Sequence, residues 1–337
     1  MSGFIKDTHL IKAALLSLVL FVGLLAAERS VAEWTGTTEA LMGTRVSVRL
    51  WHPIKERGDA AVRAAIAEID RIERMMSTYK PDSQISAINR EAHLGPVKTE
   101  RELFDVIDRA LAMSRMTGGR FDITYDSVGK YYDFREGKKP DALTIEAELE
   151  NIDYRFVRLN AAEQTVAFAQ EGVRINLGGI AKGYAVERAV QVLREAGIQY
   201  ASVSAGGDSR LLGDHRGEPW IIGIQDPRDK KGLAVRLPLA DEAVSTSGDY
   251  ERYFDEGGVR YHHIIKPSTG KSADSVQSVT IVGPDAMTTD ALSTSVFVMG
   301  VDEGLRLIEG MPSYDAIIID ADRKMHYSTG FLPGDDE

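Results

Sequence analysis

A glycine-rich segment, Asn176-Leu-Gly-Gly-Ile-Ala-Lys-Gly-Tyr184, has the residue types best suited to binding phosphate. An apolar run at 173–175 predicts a strand before it, and the apolar positions after it recur at helical spacing. Gly178 and Gly179 would let the backbone approach a ligand, while the helix start offers free N–H groups and Lys182 adds a cation. The spacing matches neither the P-loop nor G-x-G-x-x-G, and glycines required only for packing are the alternative.

Asp290 and Thr294 form a second candidate site. They are four residues apart in a segment of predicted helix, so both lie on one face, one turn apart. A carboxylate and a hydroxyl presented together suit a hard cation such as Mg²⁺, and a backbone carbonyl near Gly179 would add a third oxygen. Helix capping, a common role of Asp and Thr near a helix start, is the alternative.

His263 is a candidate for proton transfer, because the ordinary pKa of histidine lies near neutral pH. It closes a predicted strand at 261–265, next to His262. Successive strand residues point to opposite faces, so we expect one of the two histidines to be exposed and inert. A purely structural role for His263 is the alternative.

Three turns add weaker candidates. Tyr79 follows a helix and has the geometry either to stack on a flat ring or to be an ordinary surface tyrosine. Phe121 and Asp122 follow two glycines, in a segment (121–128) that we expect to be an exposed loop or strand. The turn at 206–208 either admits a ligand or reverses the chain.

The elements that must position these residues occur in an irregular order. Helices are predicted at 59–76, 100–116, 141–151, after the glycine turn, and at 286–299. Strands are predicted at 39–50, 156–159, 165–168, 201–204, 220–224, 234–239, 242–245, 261–265, 278–282 and 317–319. Strand pairs between helices favour an α+β fold, with mixed or antiparallel sheets and flanking helices, over a doubly wound parallel sheet.

Composition excludes several classes of function. The chain has 337 residues, and 43% of them are hydrophobic, as is typical of a globular protein. Its net charge of -11 argues against a nucleic-acid binder. It has no cysteine, so disulfides, thiolate catalysis, cysteine metal sites and a lipid-modified cysteine are excluded.

The N-terminus predicts export. Lys6 and Lys12 precede an apolar run at 13–27, and Ser30 and Ala32 fit cleavage before Glu33. The run is shorter than the roughly 20 residues that a membrane helix needs, although a retained anchor is the alternative. We therefore expect a signal peptide at 1–32 and one domain at 33–337, soluble and periplasmic.

Together these segments resemble the ApbE family of FAD:protein FMN transferases, in family order and over nearly the whole mature chain, from about Glu39 to Phe331. The matching segments are Leu41-Met-Gly-Thr44, Ser77-Thr-Tyr-Lys-Pro-Asp-Ser83, Gly119-Arg-Phe-Asp-Ile-Thr124, Leu177-Gly-Gly-Ile-Ala-Lys-Gly-Tyr-Ala185, Ala205-Gly-Gly-Asp208, Ser245-Thr-Ser-Gly-Asp-Tyr250, His263-Ile-Ile-Lys-Pro-Ser-Thr-Gly270 and Asp290-Ala-Leu-Ser-Thr294. The resemblance implies a T-fold-related architecture. It also implies Mg²⁺-dependent transfer of FMN from FAD to a Ser or Thr hydroxyl of an acceptor protein, with release of AMP. The acceptors implied are membrane electron-transfer subunits with an exported domain.

The resemblance also assigns residues. Positions that match the family's flavin site are Met42, Tyr79, Arg120, Phe121, Asp122, Asn176, Lys182 and Ile265. Positions that match its metal site are Gly179, through its carbonyl, Asp290 and Thr294, and His263 matches the family's proposed general base.

Two residues depart from the family pattern. The family usually has Asp where this chain has Asn176, and Asp again where this chain has Lys266. Asn keeps an acceptor oxygen but loses the charge, and a cation near His263 would disfavour its protonation. These departures leave two alternatives open: a Mg²⁺-dependent FAD pyrophosphatase, with water as the acceptor, and a non-catalytic flavin-binding protein.

Overall fold

The computed structural model describes residues 33–331, so the predicted signal peptide and the C-terminal tail lie outside the described residues. The helices are α1 (Lys55–Met76), α2 (Gln84–Glu91), α3 (Arg101–Met116), α4 (Asp126–Gly129), α5 (Ala142–Leu149), α6 (Ala181–Glu195), α7 (Ala286–Met299) and α8 (Val301–Glu309). Short 3-10 turns lie at Ile123–Tyr125, Tyr154–Phe156 and Thr329–Phe331.

The strands run from one end of the described chain to the other. They are β1 (Glu33–Leu41), β2 (Thr44–His52), β3 (Val97–Lys98), β4 (Val157–Asn160), β5 (Thr165–Phe168), β6 (Tyr200–Ala205), β7 (Asp208–Leu212), β8 (Trp220–Asp226), β9 (Asp229–Leu239), β10 (Ala243–Gly248), β11 (Tyr253–Glu256), β12 (Val259–His262), β13 (Ile265–Lys266), β14 (Lys271–Ser272), β15 (Val276–Gly283), β16 (Asp315–Asp320) and β17 (Met325–Tyr327).

The main sheet has the order β1-β2-β6-β7-β10-β15-β16-β17. Every neighbouring pair in it is antiparallel. Smaller sheets join β3-β5-β4, β8-β9, β11-β12 and β13-β14. The predicted α+β fold with antiparallel sheets is thus confirmed.

The main core lies between this sheet and helices α1, α6 and α7. In β2, Val46, Val48 and Leu50 alternate with more exposed residues and are buried, as their period of two predicts. Each fully buried aliphatic side chain stabilises the fold by roughly 1.5–3 kcal/mol. Helix α7 is buried on nearly all sides, so its polar residues face other protein atoms rather than water.

Two predicted elements differ from the structure. The strand predicted at 39–50 is a hairpin, β1 and β2, joined by a tight turn in which Met42 and Gly43 have positive φ values of 52° and 67°. Such turns match the twist of the strands and favour glycine at the second position. The segment 121–128, expected to be exposed, is a 3-10 turn and a short helix whose Phe121, Ile123 and Val128 are buried.

The strand predicted at 173–175 is also absent from every sheet of the described residues. The Asn89 side chain replaces a neighbouring strand there: its Nδ2 donates to the Ile175 carbonyl (2.9 Å) and its Oδ1 accepts from the Ile175 N–H (2.8 Å). A side-chain amide can satisfy the backbone N–H and C=O groups of one residue in this way, but it cannot continue the hydrogen-bond ladder of a sheet along the chain. The sequence patterns also missed α2 and α8.

Between residues 33 and 331, no helix combines the length and the apolar character needed to cross a bilayer.

Candidate functional site

The glycine turn places α6 against α7 at close range. A Cβ on Gly183 would lie 2.1 Å from the Ala286 carbonyl oxygen, and a Cβ on Gly179 would lie 3.2 Å from both the Phe121 ring and Thr294 Oγ1. Neither Gly179 nor Gly183 has a positive φ. Packing therefore requires glycine at position 183 and leaves little space for a side chain at position 179, and that packing brings the start of α6 onto the helix face that carries Thr294.

Asp290 and Thr294 lie on one face of α7, as predicted, and neither of them caps the helix. The cap is Asp285, whose Oδ1 accepts a hydrogen bond from the Thr288 N–H at 2.8 Å. Asp290 is buried, and its Oδ2 accepts from the Gly183 N–H at 2.9 Å. The capping alternative is thus wrong, and the carboxylate faces the start of α6.

Lys182 lies between two buried carboxylates. Its Nζ is 2.6 Å from Asp208 Oδ2 and 3.4 Å from Asp290 Oδ1. Burial by itself would lower the pKa of Lys182, but the two carboxylates outweigh it and raise that pKa, so the ammonium is charged. Burial, followed by the charge of Asp208, raises the pKa of Asp290. The cluster therefore has two acidic groups around one cation.

The oxygen atoms on this face fit a hard divalent cation. Asp290 supplies a carboxylate and Thr294 a hydroxyl, Thr294 Oγ1 lies 3.4 Å from Ser247 Oγ, and Gly179 packs against Thr294. Within residues 33–331 there is no group of three or more His, Cys, Asp or Glu side chains able to hold a metal. A cation here would depend on one carboxylate with neutral oxygens, water and phosphate, which is how Mg²⁺ is commonly bound.

Neither histidine is freely exposed, since His262 is buried and His263 is half-buried, so the expectation that one of them is exposed is wrong. His262 ends β12 and is 3% exposed, with Nε2 2.6 Å from the Ala273 carbonyl oxygen. His263 lies just beyond the strand, where the alternation of faces no longer applies, and its N–H donates to the Arg252 carbonyl (3.1 Å). Its side chain is partly exposed, but Nδ1 is buried and has no partner among the described residues.

His263 is a neutral base. Burial lowers its pKa to about 3, and the charges of Arg252, His262 and Lys182 contribute in the same direction. The cations that act most strongly on it are therefore Arg252 and Lys182 rather than Lys266. The ring is therefore deprotonated at neutral pH, which is the state that a general base needs before the reaction.

The residues matched to the flavin site fall into two groups. Tyr79 is 85% exposed, and the hydroxyl of its neighbour Thr78 accepts a hydrogen bond from Asn176 Nδ2 (3.3 Å). Met42 is in the hairpin turn, where Arg252 donates to the Gly43 carbonyl at 3.3 Å. Tyr79, Met42 and the glycine-rich segment that holds Asn176 and Lys182 thus come from three separate parts of the chain and lie close to Arg252 and His263.

The residues of the second group are either buried or paired with residues outside the glycine turn. Phe121 is buried against Gly179, and Asp122 accepts three hydrogen bonds, two from Thr124 and one from the Tyr154 N–H. Arg120 is paired with Glu303 at 3.1 Å. Ile265 is buried in β13. In the described residues Asp122 therefore organises its own loop, and Arg120 is held by α8.

Sequence reasoning missed several residues at this site. Asp208 belonged to a turn that was expected either to admit a ligand or to reverse the chain, without a role for its own side chain, and Arg252 follows the matched segment that ends at Tyr250. Tyr125 is half-buried, and its hydroxyl would lie 3.4 Å from a Cβ on Gly178. The glycine pair before Asp208 was the one available indication, since a carboxylate directly after a strand-end turn often faces a site.

Known proteins share the sequence pattern and the fold of this chain. The model of the ApbE family matches residues 42–318. A FAD:protein FMN transferase of Treponema pallidum is 33% identical over 92% of this chain and 91% of its own, and one of Vibrio cholerae is 30% identical over 95% and 97%. The crystal structure of the ApbE protein from Thermotoga maritima superposes with a TM-score of 0.82 at 34% identity, covering 89% of this chain and 98% of that one.

Proposed function

Since this chain belongs to the ApbE family and is a transferase, we propose that it moves FMN from FAD to a Ser or Thr hydroxyl of an acceptor protein and releases AMP. The acceptor oxygen forms a bond to the phosphorus of FMN, and the bond from that phosphorus to the AMP oxygen breaks. The observation that carries the proposal is the charged Lys182 between Asp208 and Asp290, at the start of a helix. A pyrophosphate is stabilised by such a cation, and the positive end of the α6 helix dipole acts in the same direction.

We assign the metal site to Asp290, Thr294 and the Gly179 carbonyl, with Mg²⁺ as the ion that suits these oxygens. When bound, Mg²⁺ supplies neutralisation of the charge that develops on the pyrophosphate. Asp290 and Lys182 already lie within ion-pair distance, so both can act on the same phosphate groups.

We assign His263 as the general base. Its neutral ring accepts the proton of the acceptor hydroxyl as the new bond to phosphorus forms. Arg252 and Lys182, which disfavour the protonated ring, attract the phosphates that FAD brings to the same place. Tyr79 presents an exposed ring for stacking against a flat part of FAD, and Phe121 supports the glycine turn from the core side. Met42, Arg120, Asp122, Asn176 and Ile265 complete the proposed flavin site.

A direct experiment measures the products. The purified protein is incubated with FAD, Mg²⁺ and the exported domain of a membrane electron-transfer subunit. We expect the acceptor to gain the mass of FMN less one water and AMP to appear in equal amount. Equal AMP release without acceptor would instead establish a pyrophosphatase, and FAD binding without AMP release would establish a flavin-binding protein.

Asp208 offers a test of the lysine cluster. Asp208→Asn removes the closest partner of Lys182, so the ammonium shifts toward Asp290, and we expect kcat/KM for FAD to fall about tenfold or more. Steady-state kinetics at saturating acceptor measures the effect. Asp108→Asn, an exposed carboxylate on α3, is the matched control and should leave the rate unchanged. A wild-type rate in Asp208→Asn would show that this pair does not orient Lys182.

We also propose export to the periplasm, on the basis of the basic and apolar residues before Glu33. Expression of the full chain followed by cell fractionation and N-terminal sequencing tests this. A mature protein that begins at Glu33 in the periplasmic fraction is expected. Retention in the membrane fraction with the N-terminus intact would establish a signal anchor instead.

A further inference from the structure

We propose that Asn176 is a positioning residue of the FAD site, and that the buried carboxylate of Asp126 requires an amide there. Residues 126 and 176 together then carry one carboxylate and one amide, with the carboxylate at position 126 rather than at position 176. This inference rests on the proposed function, because it concerns the site at which FAD would bind.

Asp126 is 5% exposed, at the start of α4. Its Oδ2 lies 2.5 Å from Arg174 Nε, and its Oδ1 accepts a hydrogen bond from Asn176 Nδ2 at 3.1 Å. The backbone N–H of Arg174 donates to Ser127 Oγ at 3.0 Å, which holds the chain before Asn176 against α4. Asp126 is therefore a buried charge with one cationic partner and one amide partner.

The hydrogen bonds of Asn176 fix the orientation of its side chain. Its Nδ2 donates to Asp126 and to Thr78 Oγ1, at 3.1 and 3.3 Å, and its Oδ1 accepts from the Gly178 N–H at 2.9 Å. An amide has two N–H donors and two acceptor lone pairs, so the protein uses both donors and one lone pair. Asn176 thereby connects the turn of Tyr79 to the glycine turn and holds two walls of the proposed FAD site in register.

An aspartate at 176 would remove both donors and place a second carboxylate about 3 Å from Asp126. Like charges at that separation cannot both ionise easily in a buried site. The other charged or titratable groups that act on Asp126 include Arg174 and Lys130, and Tyr125 is adjacent in the chain. Arg174 is the one cation that contacts this pair in the described residues, so a second carboxylate at position 176 would have no cationic partner.

Exchange of the two residues tests this directly. Asn176→Asp, Asp126→Asn and the double variant are compared for the Kd of FAD by flavin fluorescence, for kcat and KM, and for Tm without FAD. We expect Asn176→Asp to weaken FAD binding roughly tenfold or more and to raise KM for FAD more than it lowers kcat. The double variant should recover the wild-type Kd to within about threefold, because it restores one carboxylate and one amide.

Asp105→Asn is the matched control, since it breaks an exposed pair with Arg101 on α3 and should leave the Kd unchanged. If the effects of the two single substitutions simply add in the double variant, both in the free energy of FAD binding and in Tm, the inference is wrong. If Asn176→Asp fails to fold, recovery of folding in the double variant supports the coupling, and no recovery refutes it. A wild-type protein that does not bind FAD would refute the proposed function and this role together, whereas wild-type transfer without rescue would refute this role alone.

Discussion

Replacing Asp290 with Ala will reduce flavin transfer by on the order of a thousandfold or more. A metal ion stabilises developing charge by several kcal/mol, and each 1.4 kcal/mol is a factor of ten in rate. Asp290 is the one carboxylate among the three oxygen donors assigned to that ion. The measurement is the rate of FMN attachment to the acceptor across a range of Mg²⁺ concentrations.

Two companion variants separate chemistry from folding. Asp290→Ala leaves the buried Gly183 N–H without its acceptor, whereas Asp290→Asn keeps an oxygen there and removes the charge. We expect Asp290→Asn to be nearly as inactive but more stable. Asp285→Asn, at the cap of the same helix, preserves the cap and should retain full activity. Full activity in Asp290→Ala would refute the assignment of Asp290 as a ligand of Mg²⁺.

Replacing His263 with Ala will lower kcat by about 10²–10⁴-fold, the usual contribution of a general base. FAD affinity should change little, because the base acts on the acceptor hydroxyl rather than on the dinucleotide. His262→Gln is the comparison: it keeps a donor for the Ala273 carbonyl, so it should lower Tm while kcat stays close to that of the wild type. An unchanged kcat in His263→Ala would exclude it as the base.

The pH dependence of the protein provides a second check on His263. Its pKa in the folded protein is about 3, below the ordinary value of 6.5, so the neutral base is present across pH 5–8 and should cause no fall in kcat/KM there. The unfolded chain gains a proton on this residue below about pH 6.5. The stability due to the neutral, buried ring is therefore lost progressively as the pH falls from about 6.5 toward 3, and the drop in Tm from pH 7 to pH 5 should be smaller in His263→Ala.

Much of the local structure was predictable from the sequence. The apolar spacing of α1, α3 and α7 and the alternation of β2 place those elements where the structure has them, within a few residues. The shared face of Asp290 and Thr294 and the place of Lys182 in the first turn of α6 follow from helix geometry alone. The prediction was wrong where a side chain or a tight turn decides the backbone path. The strand predicted around Ile175 is replaced by contacts with the Asn89 side chain, and the turn at Met42 divides one predicted strand into two. Hydrophobic periodicity encodes neither feature.

The sequence by itself thus determined the α+β class, the candidate chemistry and the order of the matching segments. Only the tertiary structure decided that Lys182 lies between Asp208 and Asp290, that His262 and the Nδ1 atom of His263 are buried, and that Asn176 contacts Asp126. The reason is distance along the chain: Lys182 and Asp290 are 108 positions apart, and Asn176 and Asp126 are 50 apart. Helix and strand periodicity depend on neighbours within a few residues, whereas burial and electrostatic shifts in pKa depend on whichever segments the core brings together.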